Sequence, residues 1–135
     1  MKRLSGLKLL DEREGIGSAT QKGDRVVYTM RLYLNKGDEV PLNEKQAEHA
    51  PKETIRIQDG VTLIDRTVTL GRREVIAGVE HALLEMKVGG YRKVRISPHL
   101  GYRDKGIPDF VPPHAVLVAE IWLRAVLEAS TVRAS

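Results

Sequence analysis

Residues 71–123 read GRREVIAGVEHALLEMKVGGYRKVRISPHLGYRDKGIPDFVPPHAVLVAEIWL, and the order of elements in this stretch decides the fold. Val75, Ile76, Val79, Leu83 and Met86 recur at steps of three and four, which predicts a helix of about three turns with one apolar side. Lys87-Val88-Gly89-Gly90 stops it, the glycines suiting the positive φ of a helix end. Tyr91 to Ile96 reads as a strand. The segment 98–113 holds four prolines, which lack the amide donor that strand pairing needs, and reads as a long loop. Ala115 to Leu127 is the final strand, with Leu117, Ala119, Ile121 and Leu123 on one face. Trp122 then falls on the opposite face and is a candidate surface for self-association or client contact. A helix between two strands, followed by a loop carrying Tyr102, can form a shallow apolar pocket floored by the helix and walled by the sheet.

Upstream, Leu4, Leu7 and Leu9 alternate as in an edge strand with one buried face. Arg25 to Leu34 is strongly β-like: Val26, Tyr28, Met30, Leu32 and Leu34 share one face. Asn35-Lys36-Gly37-Asp38 ends that run with turn chemistry. Residues 38–54 are polar with no apolar period, so a flexible insertion is expected at about 38–58. ETIRIQ and VTLIDRTVTL follow as two β-like runs around Asp59-Gly60, a hairpin signal. The whole reads as one α+β domain, residues 1–135, in which an antiparallel β-sheet wraps around one short α-helix.

Composition narrows the function. At 135 residues the chain can bury a core without staples, and with no cysteine it has neither disulfides nor thiolate chemistry. A formal charge of +4 raises nucleic acid as a partner, but 18 acidic residues are interspersed and no basic stripe forms. No run reaches the roughly 18 apolar residues of a membrane helix. The start of the chain is too charged for the apolar core of a signal peptide, so a cytoplasmic location is expected. His49, His81, His99 and His114 lack ligand spacing, and no metal site is expected.

Three segments carry a resemblance: GSATQKGDRVVYT (17–29), LGRREVIAGVEHALLEMKVGGYRKVRISPHLGY (70–102) and VPPHAVLVAEIWL (111–123). In order and spacing they resemble an FKBP-type peptidyl-prolyl cis-trans isomerase domain over most of residues 15–127. The resemblance implies rotation about X-Pro bonds in unfolded or flexible polypeptide clients, with no cofactor and no metal. It implies three catalytic groups: Tyr28 as a wall, the amide of Ile76 as donor to a substrate carbonyl, and the Tyr102 hydroxyl reaching the substrate backbone. Val75, Val79, Ala119, Phe110 and Asp65 are the expected substrate-binding residues.

Several positions depart from the family pattern. Val79 stands where the family has a floor tryptophan, and Ala119 where it has a phenylalanine. The phenylalanine expected before Leu70-Gly71 falls on Arg66 or Val68. The family's Phe-Asp pair falls on Val40-Pro41 by count, with Ile64-Asp65 as the other assignment. Residue by residue, Tyr28, Val75 and Ile76 suit core packing as well as pocket lining, and Asp65 suits a solvated strand position. The resemblance with a thinned aromatic lining implies an isomerase of reduced activity; a non-catalytic binding or chaperone module on the same fold is the second reading.

Overall fold

β2 (Arg25–Leu34) alternates inward apolar side chains with outward ones, and Val26, Tyr28, Met30 and Leu32 are all buried. A computed structural model of the chain describes Met1 and residues 3–130. In it β2 pairs along its whole length with β7 (Leu117–Glu128), but only over residues 25–28 with β5 (Arg66–Thr69). β6 (Tyr91–Ile96) lies on the other side of β7, and β1 (Leu7–Arg13) pairs with β6 as an outer edge. The five strands run in the order β1-β6-β7-β2-β5, every neighbour antiparallel. Leu117, Ala119, Ile121 and Leu123 of β7 are fully buried beneath α2 (Ala77–Leu83). This is the antiparallel α+β arrangement that the sequence predicts.

The helix is shorter than its apolar spacing suggests. Val75 and Ile76 precede α2, with Ile76 extended at ψ 145°, and Leu84 leaves it extended at ψ 138°. Glu85 then takes a positive φ of 68°, so the turn falls ahead of the glycines. Val75, Ile76 and Met86 are apolar because they face the core cluster, not because they continue a helical stripe. Two turns of helix are marginal alone, and tertiary contacts hold them. Gly78 sits so close to β6 that a Cβ there would lie 2.5 Å from the Ile96 side chain, which is itself fully buried.

Within the segment expected as a flexible insertion, residues 38–54 contain an α-helix, α1 (Leu42–Ala47), and a 3₁₀ turn at Lys52–Thr54, and the β-like run ETIRIQ supplies a strand, β3 (Ile55–Gln58). Their role is visible at β2. Beyond Tyr28 that strand has no β5 partner, and residues 38–43 cover its edge instead. Leu34 N–H donates to Asp38 O, Val40 N–H to Leu32 O, and the Asn43 side-chain amide to Met30 O at 2.8 Å. An uncovered edge would leave these backbone groups unpaired.

β3 and β4 (Val61–Ile64) form the expected hairpin. Asp59 and Gly60 take φ 51° and 77°, the two positive values that a type I′ turn requires. The run from Val61 to Leu70, expected as one strand, breaks at Asp65: its first half stays in the hairpin and its second half is β5 of the main sheet. Among the described residues no helix is long and apolar enough to cross a membrane.

The Gly78–Ile96 contact makes a stability prediction. Gly78→Ala should cost about 1–3 kcal/mol by overpacking, read from chemical denaturation. The cost should shrink in an Ile96→Ala background; equal costs in both backgrounds would show that the close approach is not its origin.

Candidate functional site

A cleft of about 390 Å³ opens between α2, β2, β5, α1 and the loop after β6. Tyr28, Val75, Ile76, Val79 and Tyr102 line it, so five of the residues expected from sequence come together. Tyr28 reaches it because it sits on the inward face of β2, opposite Arg66 of β5. Val79 forms the floor from the first turn of α2. Tyr102 follows the 3₁₀ turn Pro98–Leu100, and its carbonyl accepts the Gly106 N–H at 3.0 Å. Gly106 must be glycine for this turn: φ is +61°, and a Cβ would lie 2.1 Å from Val111 O.

The donors are available. The Ile76 N–H has no acceptor among the described residues, while its carbonyl accepts from Val79 and Glu80. The hydroxyls of Tyr28 and Tyr102 likewise bond to no protein group among the described residues. Burial pushes the Tyr28 hydroxyl up to about 12, with the Arg66 charge partly offsetting it. Burial raises Tyr102 as well, again offset by Arg66. Both phenols therefore stay protonated at physiological pH and can donate.

Three expected site residues lie elsewhere. Ala119 is fully buried on β7, between Leu32 and Val94 in register, and is shielded from the cleft. Phe110 packs against the core from the proline-rich loop and does not line the cleft. Asp65 faces the other side of the sheet: its Oδ1 accepts from Thr29 Oγ1 at 3.1 Å and Arg56 Nε at 2.8 Å, and its Oδ2 from Arg56 at 3.0 Å. The alternation of β5 explains this, since Arg66 and Val68 face inward and Asp65 sits at the break that precedes them.

Sequence reasoning missed Met30, Leu42, Gln46, Arg73 and Glu74, which complete the cleft wall. Leu42 and Gln46 belong to α1, which showed no helical period. Of the two positions offered for the phenylalanine before Leu70-Gly71, Val68 is core and Arg66 is the one at the cleft. The available signal was an arginine in the inward row Arg66-Val68-Leu70. Trp122 lies on the outer face of the sheet, with its ring 5.2 Å from Tyr91 and the Arg124 guanidinium 5.7 Å away. A second cleft, about 650 Å³, shares Arg73, Val75 and Ile76 but runs towards His81 and His99, and neither Tyr28 nor Tyr102 lines it.

Comparisons with known proteins identify the family. Residues 17–124 match the family model described as FKBP-type peptidyl-prolyl cis-trans isomerase. The chain belongs to this family. It is 29% identical over 125 residues to an FK506-binding protein of Neisseria meningitidis serogroup B, covering 93% of this chain and all of that one. It is 28% identical over 119 residues to FK506-binding protein 1A of Neurospora crassa, covering 87% of this chain and 86% of that protein. FK506-binding protein 4 of Chaetomium thermophilum is 32% identical over 123 residues, which is 91% of this chain but 22% of that longer protein. The cleft of this family member carries Tyr28 and Tyr102 together with Val79 and Arg66.

Asp65 has a structural role with a pH signature. The Arg56 hydrogen bond, then that from Thr29, hold its carboxyl below the usual carboxylate range against the opposing effect of burial. Because the folded pKa is depressed, its contribution is present above the unfolded value of about 4 and is lost as pH falls through the folded one. Asp65→Asn should cost about 1–3 kcal/mol near neutral pH. Stability curves of the two proteins should converge below about pH 4; a gap that stays constant down to acid unfolding would contradict this role.

Proposed function

We propose that this FKBP-type domain catalyses cis-trans isomerisation of X-Pro bonds in unfolded or flexible polypeptide clients. The barrier is about 18–20 kcal/mol because the twisting amide loses its conjugation. No nucleophile is needed; a cleft that binds the twisted amide better than either planar form lowers the barrier. The prolyl ring would rest on Val79, walled by Tyr28 and Tyr102. The Ile76 N–H would donate to a substrate carbonyl and the Tyr102 hydroxyl to its backbone. The convergence of these groups, with both donors unpaired among the described residues, is the observation that carries the reading.

A valine floor grips the ring less well than aromatic faces do, so we propose an activity below that of an aromatic-lined cleft. The same aliphatic floor favours a second reading, in which the cleft holds proline-containing clients without accelerating exchange.

Proline-limited refolding of a model protein separates the two. Acceleration at equimolar protein supports catalysis; none, with a prolyl peptide still bound, supports the binding module. Ile76 has φ −57°, already compatible with proline, and its N–H has no acceptor among the described residues. Ile76→Pro should therefore remove the donor with α2 intact and lower kcat/KM by about tenfold or more. Ile76→Ala, which keeps the donor, should lose less. Equal losses would overturn the amide's role, and Tyr102→Phe tests the hydroxyl in the same way.

A further inference from the structure

Arg66 is the least expected group in the cleft. It stands directly opposite Tyr28 across the β2–β5 ladder, so its side chain leaves the sheet on the same face. Its guanidinium is held by two neutral amides: Nη1 donates to Gln46 Oε1, and Nη2 to Asn43 Oδ1 at 3.0 Å. Asn43 is itself buried and anchored on the Met30 carbonyl, so the fork is fixed from behind. Arg66 Nε is buried with no hydrogen-bond partner.

No carboxylate pairs with this cation among the described residues. Glu74, the acidic residue lining the cleft, accepts the Thr69 N–H at 2.7 Å, and Arg73 adds a second positive charge beside it. Burial disfavours the charged form of Arg66, as its lowered proton affinity shows. A half-buried cation without a counter-ion is costly to the free protein. A planar fork held by neutral groups is well suited to a carboxylate, which accepts charge-assisted hydrogen bonds from it.

We propose that Arg66 is a specificity-determining residue that makes the cleft prefer prolyl segments with an acidic side chain immediately next to the proline. The carboxylate supplies the counter-charge that the protein withholds. This preference rests on the prolyl-cleft reading above, since the proline positions the carboxylate at Arg66.

The test uses the whole chain and two sets of proline peptides carrying Glu, Gln or Lys either directly before or directly after the proline. Binding is measured by calorimetry, and cis-trans exchange by NMR exchange spectroscopy. In at least one set the Glu peptide should bind about fivefold or more tightly than the Gln peptide, the Lys peptide weakest, with the gap narrowing as salt is added. Arg66→Gln and Arg66→Phe should abolish the preference. Both should melt at or above the parent temperature, because each removes a half-buried charge that has no counter-ion among the described residues. Equal binding of Glu and Gln peptides in both sets, or a preference that survives in Arg66→Gln, overturns the proposal. Exchange enhancement without charge preference sinks this proposal and leaves the isomerase reading standing. Charge preference without enhancement sinks the isomerase reading and upholds this one. Failure to bind any prolyl peptide sinks both.

Discussion

The cleft depends on how Arg92 holds the far end of α2. This side chain, 5% exposed at the start of β6, donates from Nη1 to Ala82 O at 2.9 Å and to Leu84 O at 2.7 Å, and from Nε to Glu12 Oε2 at 2.7 Å. The last carbonyls of a helix have no intrahelical donors, and a cation there also complements the helix dipole. Thr20 adds a second tie, its hydroxyl donating to Leu83 O at 2.6 Å while its backbone pairs with Glu85 and Met86. A seven-residue helix could not maintain its position by propensity. Pinned at its C-terminal end and pressed onto Ile96 through Gly78, it presents its opposite end, and with it the Ile76 amide, to the cleft.

The two faces of the sheet do different work. Inward, Val26, Tyr28, Met30, Leu32 and the β7 row make the core and one wall of the cleft. Outward, polar and aromatic side chains lock strands together. Tyr33 of β2 and Tyr91 of β6 both donate to Glu120 of β7, at 2.7 and 2.6 Å. Burial first, and then the bond to that carboxylate, raise both phenols, so the network keeps its protons in the physiological range. Further along the outer face, Asp65 joins Arg56 of the hairpin to Thr29 of β2, and Arg124 of β7 donates to the same Thr29 hydroxyl. Asp65 thus holds the β3–β4 hairpin against the sheet at the point where the chain leaves one for the other.

What was legible in the sequence was whatever had a local cause. β2 and β6 show in their alternation, and the hairpin shows because Asp59-Gly60 is the chemistry its turn demands. Elements whose cause is tertiary were hidden. Six residues of α1 cannot display a helical period, and the segment is held by Asn43 on Met30 O and by its packing on β4. The break at Asp65 lies inside a continuous β-like run, and its reason is an arginine nine positions earlier. α2 was overextended because Val75, Ile76 and Met86 are apolar for the core's sake. Tyr28, Ile76 and Tyr102 were found through linked motifs, whereas Arg66 stayed ambiguous because its cross-strand partner, Tyr28, is visible only once β2 and β5 are paired.

The ambiguous region and the unexpected arginine prove to be one feature. α1 covers the edge of β2, supplies Leu42 and Gln46 to the cleft wall, and gives Arg66 its two amide partners. A phenylalanine at position 66 would need none of those amides, and an arginine without them would be a half-buried charge lacking even dipolar support. The added segment and the arginine are therefore physically coupled. Even with its amides, Arg66 keeps an unpartnered Nε and no counter-ion among the described residues, an arrangement that costs stability relative to an apolar side chain of similar volume. Local costs of this kind concentrate where proteins bind and act. That this one lies between the two cleft tyrosines, and not on the polar outer face where acidic partners are at hand, places its compensation in what enters the cleft.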